Sequence, residues 1–210
     1  LYLDDSDVTD ASLAAIGRLS KLTTVRLSGP KVTDAGVAHL SNLRDLEVLI
    51  LGQVTVTDEG LKHIRYLKNL RSLNFDSDRI TDAGVAHIAG LTNLEHLLIN
   101  SSAITDAGLA HIAGLTKLQS LDLSRGNITG AGLVHLKGLT ALYNLDLEKT
   151  RINDAAVLHL LALARLSRLD LSNTAITETG LARLAALTNL ALRRTPLARP
   201  KIDDSSLLPR

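Results

Sequence analysis

Apolar residues fall into columns that recur every 24 residues along the chain. One column runs Leu3, Leu27, Leu51, Phe75, Ile99, Leu123, Leu147, Leu171, and a second, two residues earlier, runs Leu1, Val25, Leu49, Leu73, Leu97, Leu121, Leu145, Leu169. Alternation at period two predicts a short, half-buried strand in each unit. A third column follows five residues on, at Val8, Val32, Val56, Ile80, Ile104, Ile128, Ile152 and Ile176. The spacing then lengthens to steps of three, as in Leu109, Ile112, Leu115 and Leu118. That stripe predicts a short helix or 3₁₀-like turns. Thr105 before Asp106 supplies an N-cap, with the acid where the helix dipole is positive. Strand, turn, short helix and return make one coil, repeated about eight times. A period between 20 and 50 residues marks a solenoid, whose units fold only by stacking.

The string Leu166-Ser-Arg-Leu169-Asp-Leu171-Ser-Asn-Thr174-Ala-Ile176 resembles the leucine-rich repeat family, and the likeness covers roughly residues 1–197. The ITDAGLAHL half of the unit looks like the 24-residue bacterial version and is similar to repeats in substrate-receptor subunits of ubiquitin ligases. The resemblance implies an α/β fold: a right-handed, curved solenoid with a parallel sheet on the concave face and short helices on the convex face. It also implies a protein-binding role.

Two departures stand out. Many members of the family carry Asn or Cys at the ninth motif position; here that column is Pro30, Val54, Asp78, Ser102, Gly126, Thr150 and Thr174. No regular asparagine ladder is expected, and the N-terminal turns should be the less regular ones. At the other end the motif returns three residues early, at Leu187, Leu190 and Leu192, which predicts a shortened last coil with a strand near 190–192. The expected organisation is therefore a solenoid of about eight to nine coils over 1–197, its N-terminal coil incomplete, and a tail at 198–210. The opening Leu1-Tyr2-Leu3 reads as a start inside a repeat.

Composition narrows the partners. The chain has 23 basic and 22 acidic residues, a formal net charge of +1, so no overall field steers nucleic acid or an anionic membrane. Its aromatics are Phe75, Tyr2, Tyr66 and Tyr143, poor equipment for stacking bases. There is no cysteine, hence no thiolate metal site. No stretch approaches the roughly 20 apolar residues of a membrane helix.

Three polar columns invite chemistry. His39, His63, His87, His111, His135 and His159 suggest a metal ladder, but neighbouring outer segments pack roughly 8–10 Å apart, whereas zinc gathers ligands at about 2.0–2.1 Å. Packing and hydrogen bonding between repeats is the expected role. Gly36, Gly60, Gly84, Gly108, Gly132 and Gly180 lack the Lys-Ser/Thr of a phosphate loop and suggest close backbone packing instead. The acidic column Asp10, Asp34, Asp58, Asp82, Asp106, Asp154 and Glu178, interrupted by Gly130, reads as helix-start residues. No nucleophile-elbow pattern is present, and no catalytic residue, metal site or cofactor is expected.

Positions that vary between units are free to carry specificity. The outward strand positions vary, and Arg26, Val48, Ile50, Asn74, His96, Leu98, Asp122, Asp146, Glu148 and Asp170 are the candidate binding residues. Three aspartates in one frame make an acidic row beside the aliphatic Val48, Ile50 and Leu98, with Arg168 and Lys149 as partial neutralisers. That face suits a protein or peptide with a basic, partly apolar surface. The three aspartates are equally read as the family's common LDLS habit. Alternative roles are a substrate receptor in a ubiquitin-ligase-like assembly and a purely structural or surface repeat protein.

Overall fold

The computed structural model describes residues 1–3 and 7–185 and the backbone of 191–193. The 198–210 tail lies outside the described residues. Each coil opens on a strand: β1 (Tyr2–Leu3), β2 (Thr24–Ser28), β3 (Val48–Gly52), β4 (Ser72–Asp76), β5 (His96–Asn100), β6 (Ser120–Asp122), β7 (Asn144–Asp146), β8 (Arg168–Asp170) and β9 (Ala191–Arg193). These join in one parallel sheet in sequence order. From β1 to β8 the register is the sequence period itself, as in Leu27 against Leu51 and Leu121 against Leu145.

The return limbs carry α1 (Asp10–Ile16), α2 (Asp34–Leu40), α3 (Asp58–Ile64), α4 (Asp82–Ile88), α5 (Asp106–Ile112), α6 (Val157–Leu161) and α7 (Glu178–Leu184). Two 3₁₀ segments, Gly132–Gly138 and Asp154–Ala156, stand in coils 6 and 7. Between sheet and return limbs the apolar columns form one continuous core, with Leu27, Leu51, Phe75 and Leu145 fully enclosed. Strands sit about 4.8 Å apart and packed helices farther, about 8–10 Å, so the stack bends with the sheet on its inner, concave side.

One expectation changes. The ninth strand begins at Ala191, and Leu192 pairs with Leu169, so the last coil is short by one residue rather than three. Side-chain motif and backbone pairing part company there. The less regular return limbs lie in coils 6 and 7. Pro30 is exposed and Val54 is buried, and both coils keep regular helices.

The acidic column explains where regularity fails. The Asp10 carboxylate accepts from the Thr33 backbone N–H at 2.8 Å and from the Thr33 hydroxyl at 2.6 Å. The same pair of bonds links Asp34 to Thr57, Asp58 to Thr81, Asp82 to Thr105, Asp106 to Thr129 and Asp154 to Thr177. Each threonine hydroxyl also caps its own helix or turn, as Thr105 does by accepting from the Ala107 N–H at 3.2 Å. Helix starts are thus riveted from coil to coil. The recurring glycine makes room for the rivet: a Cβ at Gly108 would lie 2.5 Å from Asp82 Oδ1.

At the joint between coils 6 and 7 all three parts change together. Gly130 replaces the acid, Asn153 the threonine, and Ala156 the glycine. Asn153 caps its own turn, accepting from Ala155 N–H at 3.0 Å. Without the rivet, and with Gly130 and Gly132 lowering helix propensity, the return limb tightens to 3₁₀.

Candidate binding face

Alternation along the strands turns Val25 and Leu27 inward and leaves Arg26 outside. Because the sheet is in register, the outward residues line up in rows. Arg26, Ile50, Asn74, Leu98, Asp122, Asp146 and Asp170 form one row across seven strands. Thr24, Val48, Ser72, His96, Ser120, Asn144 and Arg168 form its neighbour. Nine of the ten candidate residues therefore share the face. Glu148 lies just beyond the end of β7, two residues after Asp146.

The face holds two shallow depressions. One, of about 320 Å³, is bordered by His96, Asp122 and Asp146; the other, of about 400 Å³, by Arg26, Gln53 and Asn100. Ile50, Asn74 and Leu98 line both and form the saddle between them. Val48, Glu148 and Asp170 line neither. Ser120, Asn144, Gln53 and Asn100 belong to the lining although residue type alone did not single them out. Their signal was present in the rows: Asn144 and Ser120 occupy the variable column beside the aspartates, and Asn144 Nδ2 donates to Ser120 Oγ at 2.7 Å.

The aspartates have a structural task as well as a charge. Asp122 Oδ1 accepts from the Ser124 N–H at 2.9 Å, Asp146 Oδ1 from Glu148 N–H at 2.8 Å, and Asp170 Oδ1 from Ser172 N–H at 2.9 Å. Each is an Asx-turn that closes its strand after three residues. In coils 2 to 5 the equivalent residues are Arg26, Ile50, Asn74 and Leu98, and the strands run on to five. Among the described residues the Asn74 amide makes no such bond, and β4 continues to Asp76. The row aspartate is thus a turn device as well as a charge, and its turn bond uses only one of its two carboxylate oxygens.

Three carboxylates one strand apart repel one another. Asp146, in the middle, has its pKa raised from the ordinary 3.8 to about 6, first by burial and then by the charges of Asp122, Asp170 and Glu148, against the lowering pull of the Glu148 N–H. Lys149 pairs with Glu148 at 2.8 Å, whereas Arg168 forms no ion pair among the described residues. Among the described side chains, neutralisation of the row is therefore slight.

The histidine column stays on the return limbs, mostly half-buried, and makes no side-chain hydrogen bond among the described residues. No group of three or more His, Asp or Glu side chains converges to hold a metal among those residues. No described helix is long and apolar enough to cross a membrane.

The family described as Leucine rich repeat matches residues 68–128. Among solved structures, an internalin (inlF) from Listeria monocytogenes superposes with a TM-score of 0.68 at 23% identity, over 94% of this chain and 63% of that one. A second Listeria monocytogenes internalin (inlC2) gives 0.61 at 26% identity, covering 90% and 84%. A leucine-rich-repeat protein from Leptospira interrogans gives 0.59 at 20% identity, covering 86% and 50%. No curated protein matches. The chain thus spans less than two thirds of the first and third of these structures. With its repeat columns, in-register parallel sheet and these likenesses, the chain has the leucine-rich-repeat fold, and residues 68–128 match the family itself.

Proposed function

We propose that this chain is a non-catalytic recognition module whose concave sheet face holds a protein or peptide through Ile50, Leu98, Asp122, Asp146, Glu148 and Asp170. Leucine-rich repeats serve generally as protein-binding scaffolds, and the reading starts from that role. The observation that carries it is the outward row, in which an aliphatic saddle at Ile50 and Leu98 runs directly into a row of aspartates that few of the described side chains neutralise. A partner surface that is basic and partly apolar complements both halves.

The test uses the Asx-turns. Replacing Asp122, Asp146 and Asp170 by Asn removes three charges while leaving an Oδ1 acceptor at each site. Crosslinking capture from source cells then compares wild type with this variant and with an Ile50→Ser/Leu98→Ser variant, each verified as folded by circular dichroism. A partner captured by wild type and lost in both variants supports the reading. Equal capture by all three moves recognition off this face and ends it.

A further inference from the structure

A second surface lies on the edge where the chain leaves each helix. In coils 4 and 5 this edge reads Ala89-Gly90-Leu91-Thr92 and Ala113-Gly114-Leu115-Thr116. Small residues therefore suffice there for the fold. The first three coils depart from that pattern, reading Gly17-Arg18-Leu19-Ser20, Ser41-Asn42-Leu43-Arg44 and Arg65-Tyr66-Leu67-Lys68. The leucine is kept and its neighbours become large and cationic.

Geometry gathers these departures into one cluster. The Tyr66 ring, 46% exposed, takes the Arg65 guanidinium at 4.6 Å and the Arg44 guanidinium at 5.5 Å from its centroid. Both lie within the roughly 6 Å reach of a cation–π contact. Arg65 also donates to the Tyr66 hydroxyl, and Arg44 Nη1 donates to the Tyr66 carbonyl at 3.1 Å. Lys68 Nζ is held on the Gly90 carbonyl at 3.0 Å. These bonds occupy only a few of the five N–H donors each guanidinium carries.

The charge is not cancelled locally. Arg18, Arg44, Arg65 and Lys68 form no ion pair among the described residues, while nearby acids are engaged elsewhere. Asp45 pairs with Lys21 at 3.4 Å, Glu59 with Lys62 at 3.3 Å, and Glu95 with Arg71 at 2.8 Å. The C-terminal dipole of α3 offsets only about half a charge.

We propose that this Arg44–Tyr66–Arg65 edge, with Arg18 and Lys68 beside it, docks an acidic segment of a partner protein. Guanidiniums already ordered on a ring lose little freedom on binding, and carboxylates take their free donors in bidentate pairs. Arg and Tyr are also the residue types that dominate interface energetics. Nucleic acid and anionic bilayers call on longer tracks of charge or on several stacking rings. The surface is separate from the concave face, and either assignment can fail without the other.

Fluorescence anisotropy at low salt tests the proposal with a labelled Asp/Glu-rich peptide and its Asn/Gln counterpart. Saturable binding of the acidic peptide only is expected. Arg44→Gln with Arg65→Gln should weaken it by about tenfold or more, the loss of one charge-assisted contact or better. Lys137→Gln with Arg151→Gln, exposed cations elsewhere, should leave it unchanged. Thermal unfolding of both variants checks the fold. Absence of saturable binding, equal affinity of the Arg44/Arg65 variant, or preferential binding of single-stranded DNA or phosphatidylserine vesicles would overturn the proposal.

Discussion

Coils 2 to 5 and coils 6 to 8 are built on the same buried columns, yet they end their strands differently, and in coils 6 and 7 the return limbs differ as well. The earlier coils have five-residue strands and full helices joined by Asp–Thr rivets. The later ones have three-residue strands closed by Asx-turns, and the joint between coils 6 and 7 has lost its rivet. The contrast shows that core identity does not decide local form here. Two polar columns do: one at the middle of the strand, one at the start of the return limb. The strand column also sets the charge of the exposed face, so shape and electrostatics change together along the array.

The largest expected effect comes from breaking a rivet in the regular half. Gly108→Ala drives a Cβ to 2.5 Å from Asp82 Oδ1 and displaces both bonds to Thr105. Losing two charge-assisted hydrogen bonds outweighs the roughly 1 kcal/mol gained in helix propensity, for a net cost of about 2–3 kcal/mol in chemical denaturation. A stability equal to wild type would show that the carboxylate relaxes freely. The converse variant, Gly130→Asp with Asn153→Thr and Ala156→Gly, should stabilise by about 1–3 kcal/mol and convert the 3₁₀ limb toward helix. Gly130→Asp alone should not, because the Ala156 backbone and Cβ crowd the new side chain. A double-mutant cycle that proves additive would refute the coupling.

The acidic row predicts a pH effect confined to the later coils. The raised pKa of Asp146 means that the native state holds a proton the unfolded chain releases, so stability falls as pH rises from about 4 through about 6. Asp10 and Asp154 behave oppositely. Burial opposes Asp10, but its bonds from Thr33 prevail, and the hydroxyl and N–H of Thr177 hold Asp154 low. Their contribution is present above the ordinary carboxylate pKa of 3.8 and lost below it. These groups together place maximum thermal stability near pH 4. Asp146→Asn should raise Tm at pH 7 and give no gain near pH 4.5; a Tm gain of the same size at both would reject the assignment.

The smallest effect concerns backbone strain. Arg125, Lys149 and Asn173 all lie at positive φ, 67°, 57° and 58°, three residues after the row aspartates. Arg125→Gly should stabilise by up to about 1 kcal/mol, the left-handed penalty less glycine's entropy. No gain in denaturant midpoint would mean that the Arg125 side chain offsets the strain.

Much of this was legible from residue columns. The strands, their register and the single core follow from apolar periodicity, because a parallel in-register sheet is the one arrangement that stacks identical columns. The outward row followed too, since alternation fixes which side chains leave the core. The rivets are hidden in the sequence because each bond joins two polar columns whose separate roles, helix start and N-cap, already account for the residues. Only the joint change at Gly130, Asn153 and Ala156 revealed their dependence. Strand length escaped for a related reason. Asp122 reads as a charge on a face, while its Oδ1 is spent on a turn.

The rivet also makes the coils exchangeable. Each regular coil presents a carboxylate on one side and a threonine with a glycine on the other, so any such coil can follow any other. Duplicating or excising one of coils 3 to 5 preserves every joint and changes only the array's length and the stretch of face it displays. The joint between coils 6 and 7 obeys a different rule, with Gly130 matched to Ala156. It can be cut only as a pair, and it divides the chain into a freely extensible block and a fixed one.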